Sequence, residues 1–303
     1  MKTAAVQRTA AIQHGIQLKN ILFLTDFSET ANRAGEYAGA LAKTYGAKLF
    51  ALHVQPPVVN PMTPPASWYN LEEVAETQQA ANRKELGAEF QGLNPRIFIK
   101  EGDLWAHVAA IVERENIDLI VMGTHGRSGM RRFFLGSIAE AMFRNAECPV
   151  LTLGPHATGQ KQVPVEFTRI VFATDFSDAA NTAAPYAMSL AQEHQAQVTL
   201  LHVVAETKAG ELVQAHEVAA SDEKLLRNLV PPEADQWCVP EFLIERGDAA
   251  EKILDVAARR KADLIVLGVR KEKGFPGAST HLPVAIAHEV VSKAQCPVLT
   301  VRG

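Results

Sequence analysis

Cysteine is scarce in this chain: Cys148, Cys238 and Cys296 stand alone, with no CxxC pair and no Cys/His ligand spacing. That excludes a disulfide framework or a structural zinc site and fits a reducing compartment. No apolar run reaches the roughly 18 residues of a membrane span. The opening MKTAAVQRTAAIQHGIQLKN has no continuous apolar stretch of the signal-peptide kind. Excess charge of one sign is also missing. A net charge of −4 gives no global electrostatic case for nucleic acid or a membrane as partner. GxxxxGK[ST], HExxH and GxSxG are absent, which removes the P-loop, zincin and serine-hydrolase chemistries. The expectation left standing is a cytoplasmic protein.

What is present is a repeat. A chain of 303 residues, 47% of them apolar and 21% charged, exceeds one hydrophobic core and predicts two domains of about 150 residues. ILFLTDFSETANRAGEYAGALA (21 to 42) aligns without gaps on IVFATDFSDAANTAAPYAMSLA (170 to 191). LHV, EGD/RGD, DLIVMG/DLIVLG and ECPVLTL/QCPVLTV recur in the same order. The offset between copies begins at 149, falls to 145 at DLIV and ends at 148, so the second copy has a shorter middle and a longer loop after its fourth strand. These landmarks set a domain at 19–154, a linker at 155–167 and a second domain at 168–303, behind an N-terminal extension, 1–18. The extension is expected to be partly disordered or packed across the other domain.

Within each copy, strand and helix patterns alternate. ILFLTD and RIVFATD are continuous apolar runs, as strands covered on both faces require. Ser28 can cap a helix whose apolar face is Ala31, Ala34, Ala38, Leu41, Ala42 and Tyr45, with Gly46 at its end. The proline-rich PPVVNPMTPPASWY is a loop, and the helix after it would start at Asn70. Five βα units per copy predict an α/β fold: two tandem doubly wound parallel sheets, each of five strands, joined by right-handed crossovers. Ligands of such sheets bind at the carboxyl ends of the strands.

Those ends carry the chemistry. In the first copy, Thr25 and Asp26 follow strand one, and Met122, Gly123, Thr124, His125 and Gly126 follow strand four. Gly136 and Ser137 open a helix, whose free N–H groups and positive dipole end favour a phosphate. Asp26 is placed to accept a bond from a ribose hydroxyl or an adenine amine, or to cap the following helix, or both. Arg127, Arg131 and Arg132 can offset phosphate charge, although Arg131 and Arg132 also read as a solvated loop face. His125 reads equally as a turn residue, His53 as a satisfied histidine at a sheet edge, and Cys148 and Cys296 as buried structural thiols.

Gly123, Gly126, Gly136 and Ser137 stand at the spacing G-x2-G-x9-G-[S/T]. With TDFS, LHV, EGD, DLIVMGTHGRSG and CPVLTL, both copies resemble the universal stress protein family over nearly all of residues 19 to 303. The resemblance implies a tandem member with a Rossmann-like, adenine nucleotide alpha hydrolase-like fold and ATP as ligand, AMP or ADP being the alternatives. By that resemblance Leu24, Thr25 and Asp26 meet the adenosine and Val54 lines the adenine site. Met122, Gly123, His125, Gly126 and Arg127 flank the ribose and phosphates, and Gly136, Ser137, Ile138 and Ala139 hold the phosphate tail. Mg2+ or Mn2+ is expected on the phosphates, with no protein ligand legible for it. The last strands commonly mediate pairing in this family, so PVLTLG and PVLTVRG would pair the halves within one chain, and a homodimer would have four domains.

The second copy departs from the pattern. Gly268 keeps the first glycine, but Lys271 replaces the second, and Val284 and Ala285 stand where Gly136 and Ser137 would. Pro276 and Pro283 donate no N–H to a phosphate. Asp175 remains, which leaves room for an adenosine pocket but not for a phosphate cradle. The expectation is one nucleotide per chain, in a stress-response sensor or regulator. A slow ATPase or autophosphorylating protein using a loop serine such as Ser128, and a nucleotide-independent interaction module, are the alternatives. In the last of these the second half takes a different small or lipid-like ligand or serves as a pairing partner.

Overall fold

The computed structural model describes residues 15–55, 71–124, 139, 141–142, 145–157, 165–205, 214–270 and 281–303. In the first half the elements are β1 (Asn20–Thr25), α1 (Glu29–Tyr45), β2 (Lys48–Gln55), α2 (Leu71–Glu89), β3 (Arg96–Glu101), α3 (Leu104–Glu115), β4 (Leu119–Gly123) and β5 (Val150–Leu153). The second half contributes β6 (Arg169–Thr174), α4 (Asp178–His194), β7 (Gln197–Val204), α5 (Gln214–Arg227), β8 (Glu241–Arg246), α6 (Ala249–Arg260), β9 (Leu264–Val269), α7 (His281–Lys293) and β10 (Val298–Arg302). The expected cap Asn70 lies outside the described residues, as does most of the helix read between β4 and β5.

Strand order is β3-β2-β1-β4-β5 in the first half and β10-β9-β6-β7-β8 in the second. Every pairing within a half is parallel. Each half is thus a doubly wound α/β unit whose order reverses beside its first strand, between β1 and β4 and between β6 and β9. The halves join where β5 and β10 run antiparallel, with Leu151 opposite Leu299, so the described strands form a single sheet of ten.

Local sequence accounts for the helices. The Ser28 hydroxyl accepts from Ala31 N, and α1 ends at Gly46 in the left-handed conformation, φ 61°. Ser177 caps α4 in the same way, accepting from Ala180 N. Small residues on the inward faces of α1 and α4, Ala34 and Ala38 in one and Ala183 and Ala187 in the other, are fully buried and let both helices lie close on the sheet. Asp118 and Asp263 tie down the entry to the first strand of each half. Asp118 Oδ2 accepts from Lys19 N and Asn20 N at 2.8 Å, and Asp263 accepts from the backbone of Thr168 and Arg169.

One hydrophobic core lies on each face of the sheet, and both run through the seam between the halves. Segments cross it too. Ile16 N donates to Ser189 Oγ of α4 at 2.9 Å, and Leu18 is buried, so the described end of the N-terminal extension packs on the other half. In return Phe167, at the end of the linker, is buried against Tyr37 of α1, with the rings 6.0 Å apart.

Candidate functional site

The site is built from the turn that leaves β1. Thr25 Oγ1 accepts from Phe27 N at 2.9 Å, and Asp26 Oδ1 accepts from Ser28 N at 3.0 Å. These bonds hold Phe27 at φ 62°, a conformation uncommon for a bulky side chain. Its ring lies 4.7 Å from that of His53, whose Nδ1 bonds to Thr25 O at 2.8 Å. The second half repeats this unit bond for bond: Phe176 at φ 58°, Asp175 Oδ1 with Ser177 N at 3.0 Å, and His202 Nδ1 with Thr174 O at 2.8 Å.

Two expectations are corrected by this geometry. Asp26 is not the cap of α1, because Ser28 is; the Asp26 carboxylate instead braces the turn two residues before that cap. His53 is bonded, but β2 runs between β1 and β3, so it sits within the sheet and not at an edge.

The remaining described site residues converge at the carboxyl ends of β1, β2 and β4. Leu24 pairs in register with Met122, and Thr25 with His53. Leu24, Met122 and Ala139 are buried in one apolar cluster, and Val54 packs against it with part of its surface open. Gly123 has a packing reason for its missing side chain, since a Cβ there would stand 2.9 Å from Ala31 N and from Thr30 C in the first turn of α1. Its partner Gly268 is tighter still, 2.4 Å from Ala179 C and Ala180 N. Thr124 points back into the sheet, its hydroxyl donating to Leu153 O at 3.1 Å. His125, Gly126, Arg127, Gly136, Ser137 and Ile138, with Ser128, Arg131 and Arg132, lie outside the described residues.

Sequence reading missed what holds Asp175. Arg270 Nη2 donates to its Oδ2 at 2.6 Å. Burial alone would raise this carboxyl, but the bonds from Ser177 and the Arg270 guanidinium outweigh it and hold the group below its ordinary value. Arg270 occupies the place of His125 two residues after the shared glycine, and that substitution was the available signal. Arg33, buried on the otherwise apolar face of α1 and paired with Glu36, also escaped the periodicity.

Burial pushes the Cys296 and Cys148 thiols up to about 12, so neither is a poised nucleophile; Cys296 is buried, whereas Cys148 is only half-buried. Among the described residues no cluster of three His, Cys, Asp or Glu side chains is placed to hold a metal ion. None of the described helices is long and apolar enough to cross a membrane.

Fold and strand-end site together define a tandem, doubly wound α/β protein with the same strand-end turn in each half. The Universal stress protein family model matches residues 17–153 and again 166–302, and the chain belongs to that family. It is 34% identical over 147 residues to a universal stress protein of Methanocaldococcus jannaschii, a match covering 47% of this chain and 86% of the relative. Over 248 residues it is 24% identical to one of Mycobacterium bovis, covering 80% of this chain and 82% of the relative. The crystal structure of a universal stress protein from Archaeoglobus fulgidus superposes with a TM-score of 0.66 at 21% identity, over 94% of this chain and 97% of that one. That last likeness extends the shared fold to both halves.

Proposed function

We propose that this universal stress protein binds ATP in its N-terminal half and acts as a nucleotide-dependent regulator, with one nucleotide per chain. The supporting observation is the apolar wall of Leu24, Met122 and Ala139, with Val54 partly open beside it, next to the Asp26 turn at the switch in strand order. A purine fits such a wall, and a carboxylate at its mouth suits a ribose hydroxyl or an exocyclic amine. The chain runs directly from this wall into the G-x2-G-x9-G-S loop. In this reading His125, Gly126 and Arg127 lie along the phosphates, and Gly136, Ser137 and Ile138 present N–H groups to them. Mg2+ or Mn2+ would ride on the phosphates. AMP or ADP would share the adenosine contacts with a shorter tail.

The same reading puts the protein in the cytoplasm and assigns 19–154 and 168–303 as two domains that pair within the chain through β5 and β10. A homodimer would then assemble four domains. The deciding experiment is mass spectrometry of nucleotide released by heat from the purified chain, followed by calorimetric titration of the stripped protein with ATP and Mg2+. One ATP per chain supports the proposal. A folded chain that neither carries nor takes up nucleotide ends it.

A further inference from the structure

The second half carries its own cavity, of about 90 Å³, at the carboxyl ends of β6, β7 and β9. Leu201, Leu267 and Ile253 form its buried floor, Val203 and Ile286 its partly open wall, and Thr174 and Asp175 its polar rim. By the internal repeat these positions match the wall and turn of the first half: Thr174 with Thr25, Asp175 with Asp26, Val203 with Val54 and Leu267 with Met122. The turn that presents the carboxylate is the same in both halves, down to the tilted ring of Phe176 against His202, with centroids 4.5 Å apart.

The charge at the rim differs. Arg270 lies on Asp175, so the guanidinium and carboxylate cancel each other beside the pocket. Oδ1 accepts from Ser177 N and Oδ2 from Arg270, and the Ser177 hydroxyl bonds the carboxylate as well, which leaves about one of its roughly four lone-pair sites for a neutral donor. A hydroxyl or amine can share the carboxylate with Arg270. A phosphate, in contrast, would have to draw Arg270 away and leave Asp175 beside its own negative charge. The chain after Arg270 also has Lys271, Val284 and Ala285 where the first copy has glycine, glycine and serine.

We propose that the C-terminal pocket binds a nucleoside without phosphates, of the adenosine type, while the N-terminal half takes the triphosphate. The purine assignment rests on the nucleotide reading of the first half. The pocket, its rim and the neutralising ion pair are independent of it.

The test uses the full chain saturated with ATP and titrates it with adenosine by calorimetry. One adenosine per chain is expected. Ala249→Trp fills the pocket mouth from the first residue of α6 and should abolish that binding while ATP stoichiometry stays at one. Asp175→Asn, which keeps the side-chain shape, should weaken adenosine roughly tenfold and leave ATP unchanged. Should the tryptophan variant not fold, the Asp175→Asn comparison decides alone. No adenosine uptake by the ATP-loaded chain, or uptake indifferent to these variants, overturns the inference. So does a second ATP per chain that Ala249→Trp removes. If ATP does not bind but adenosine does, with the same sensitivity to Ala249→Trp, the nucleotide proposal falls and the nucleoside site stands.

Discussion

Leu151 and Leu299 face each other at the centre of the antiparallel seam, and the bonds around them are mutual: Thr152 Oγ1 donates to Val298 O and Thr300 Oγ1 to Val150 O. The pairing covers two strand edges that would otherwise be open templates for another chain. Both leucines are almost fully buried, in a core shared by the halves. Leu299→Ala should therefore cost about 2–5 kcal/mol. The loss should fall on both halves together, and combination with Leu151→Ala should be non-additive, because the two side chains adjoin. Urea unfolding followed separately at Trp105 and Trp237 checks this. Two independent transitions, with only the C-terminal half shifted, would contradict a common core.

The two strand-end glycines give a graded pair. An added Cβ meets helix backbone at 2.9 Å from Gly123 and at 2.4 Å from Gly268, and backbone yields less than the end of a side chain. Overpacking of this kind costs about 1–3 kcal/mol. Gly268→Ala should fall at or above the upper end and Gly123→Ala nearer the lower. Thermal melts of the two variants should rank in that order. The reverse ranking would show that the turn, not helix contact, sets the need for glycine at these places.

The repeat, the apolar strands and the ends of α1 were legible because each is written locally: alternation of pattern, Ser28 before the helix, Gly46 after it. The parallel order followed from the βα alternation. Long-range partners were not legible. Nothing near Asp175 in sequence announces Arg270, 95 residues away. The buried ends of the extension and linker, Ile16 on Ser189 and Phe167 on Tyr37, have partners that only the folded halves bring near. Asp26 shows the intermediate case. Its position at a strand end was evident, but a cap and a turn brace differ by two residues, and Ser28 took the cap.

That bracing role shapes the prediction for Asp26. Asn at this position can still accept from Ser28 N, so Asp26→Asn should leave the turn and the far-UV spectrum intact. It loses the charge that strengthens a bond from a ribose hydroxyl or adenine amine, an interaction worth about 1.5–3 kcal/mol. ATP affinity should drop roughly 10- to 100-fold in calorimetry. Asp175→Asn should not change ATP binding. Equal losses in both variants would mean that ATP does not distinguish the halves.

Glu89, the last residue of α2, makes stability depend on pH near neutrality. The residue as a whole is exposed, but its carboxyl end lies over Gly35 of α1, where an added Cβ would overlap Oε1. Burial of that end, with Glu85 and Glu36 nearby, raises its pKa from 4.5 to about 7. The sign follows from linkage. Below about 4.5 the group is protonated in folded and unfolded chains and contributes no difference. Between 4.5 and 7 the folded chain holds the proton more tightly, so stability falls as pH rises, and above 7 the full penalty persists. Solvent around the side chain keeps that penalty modest. Glu89→Gln removes it, so the variant should gain on the wild type between pH 5 and pH 8, with the gain levelling off above pH 8. Urea midpoints at the two pH values measure the difference. An identical shift at both would place the effect of the substitution in packing and not in the proton.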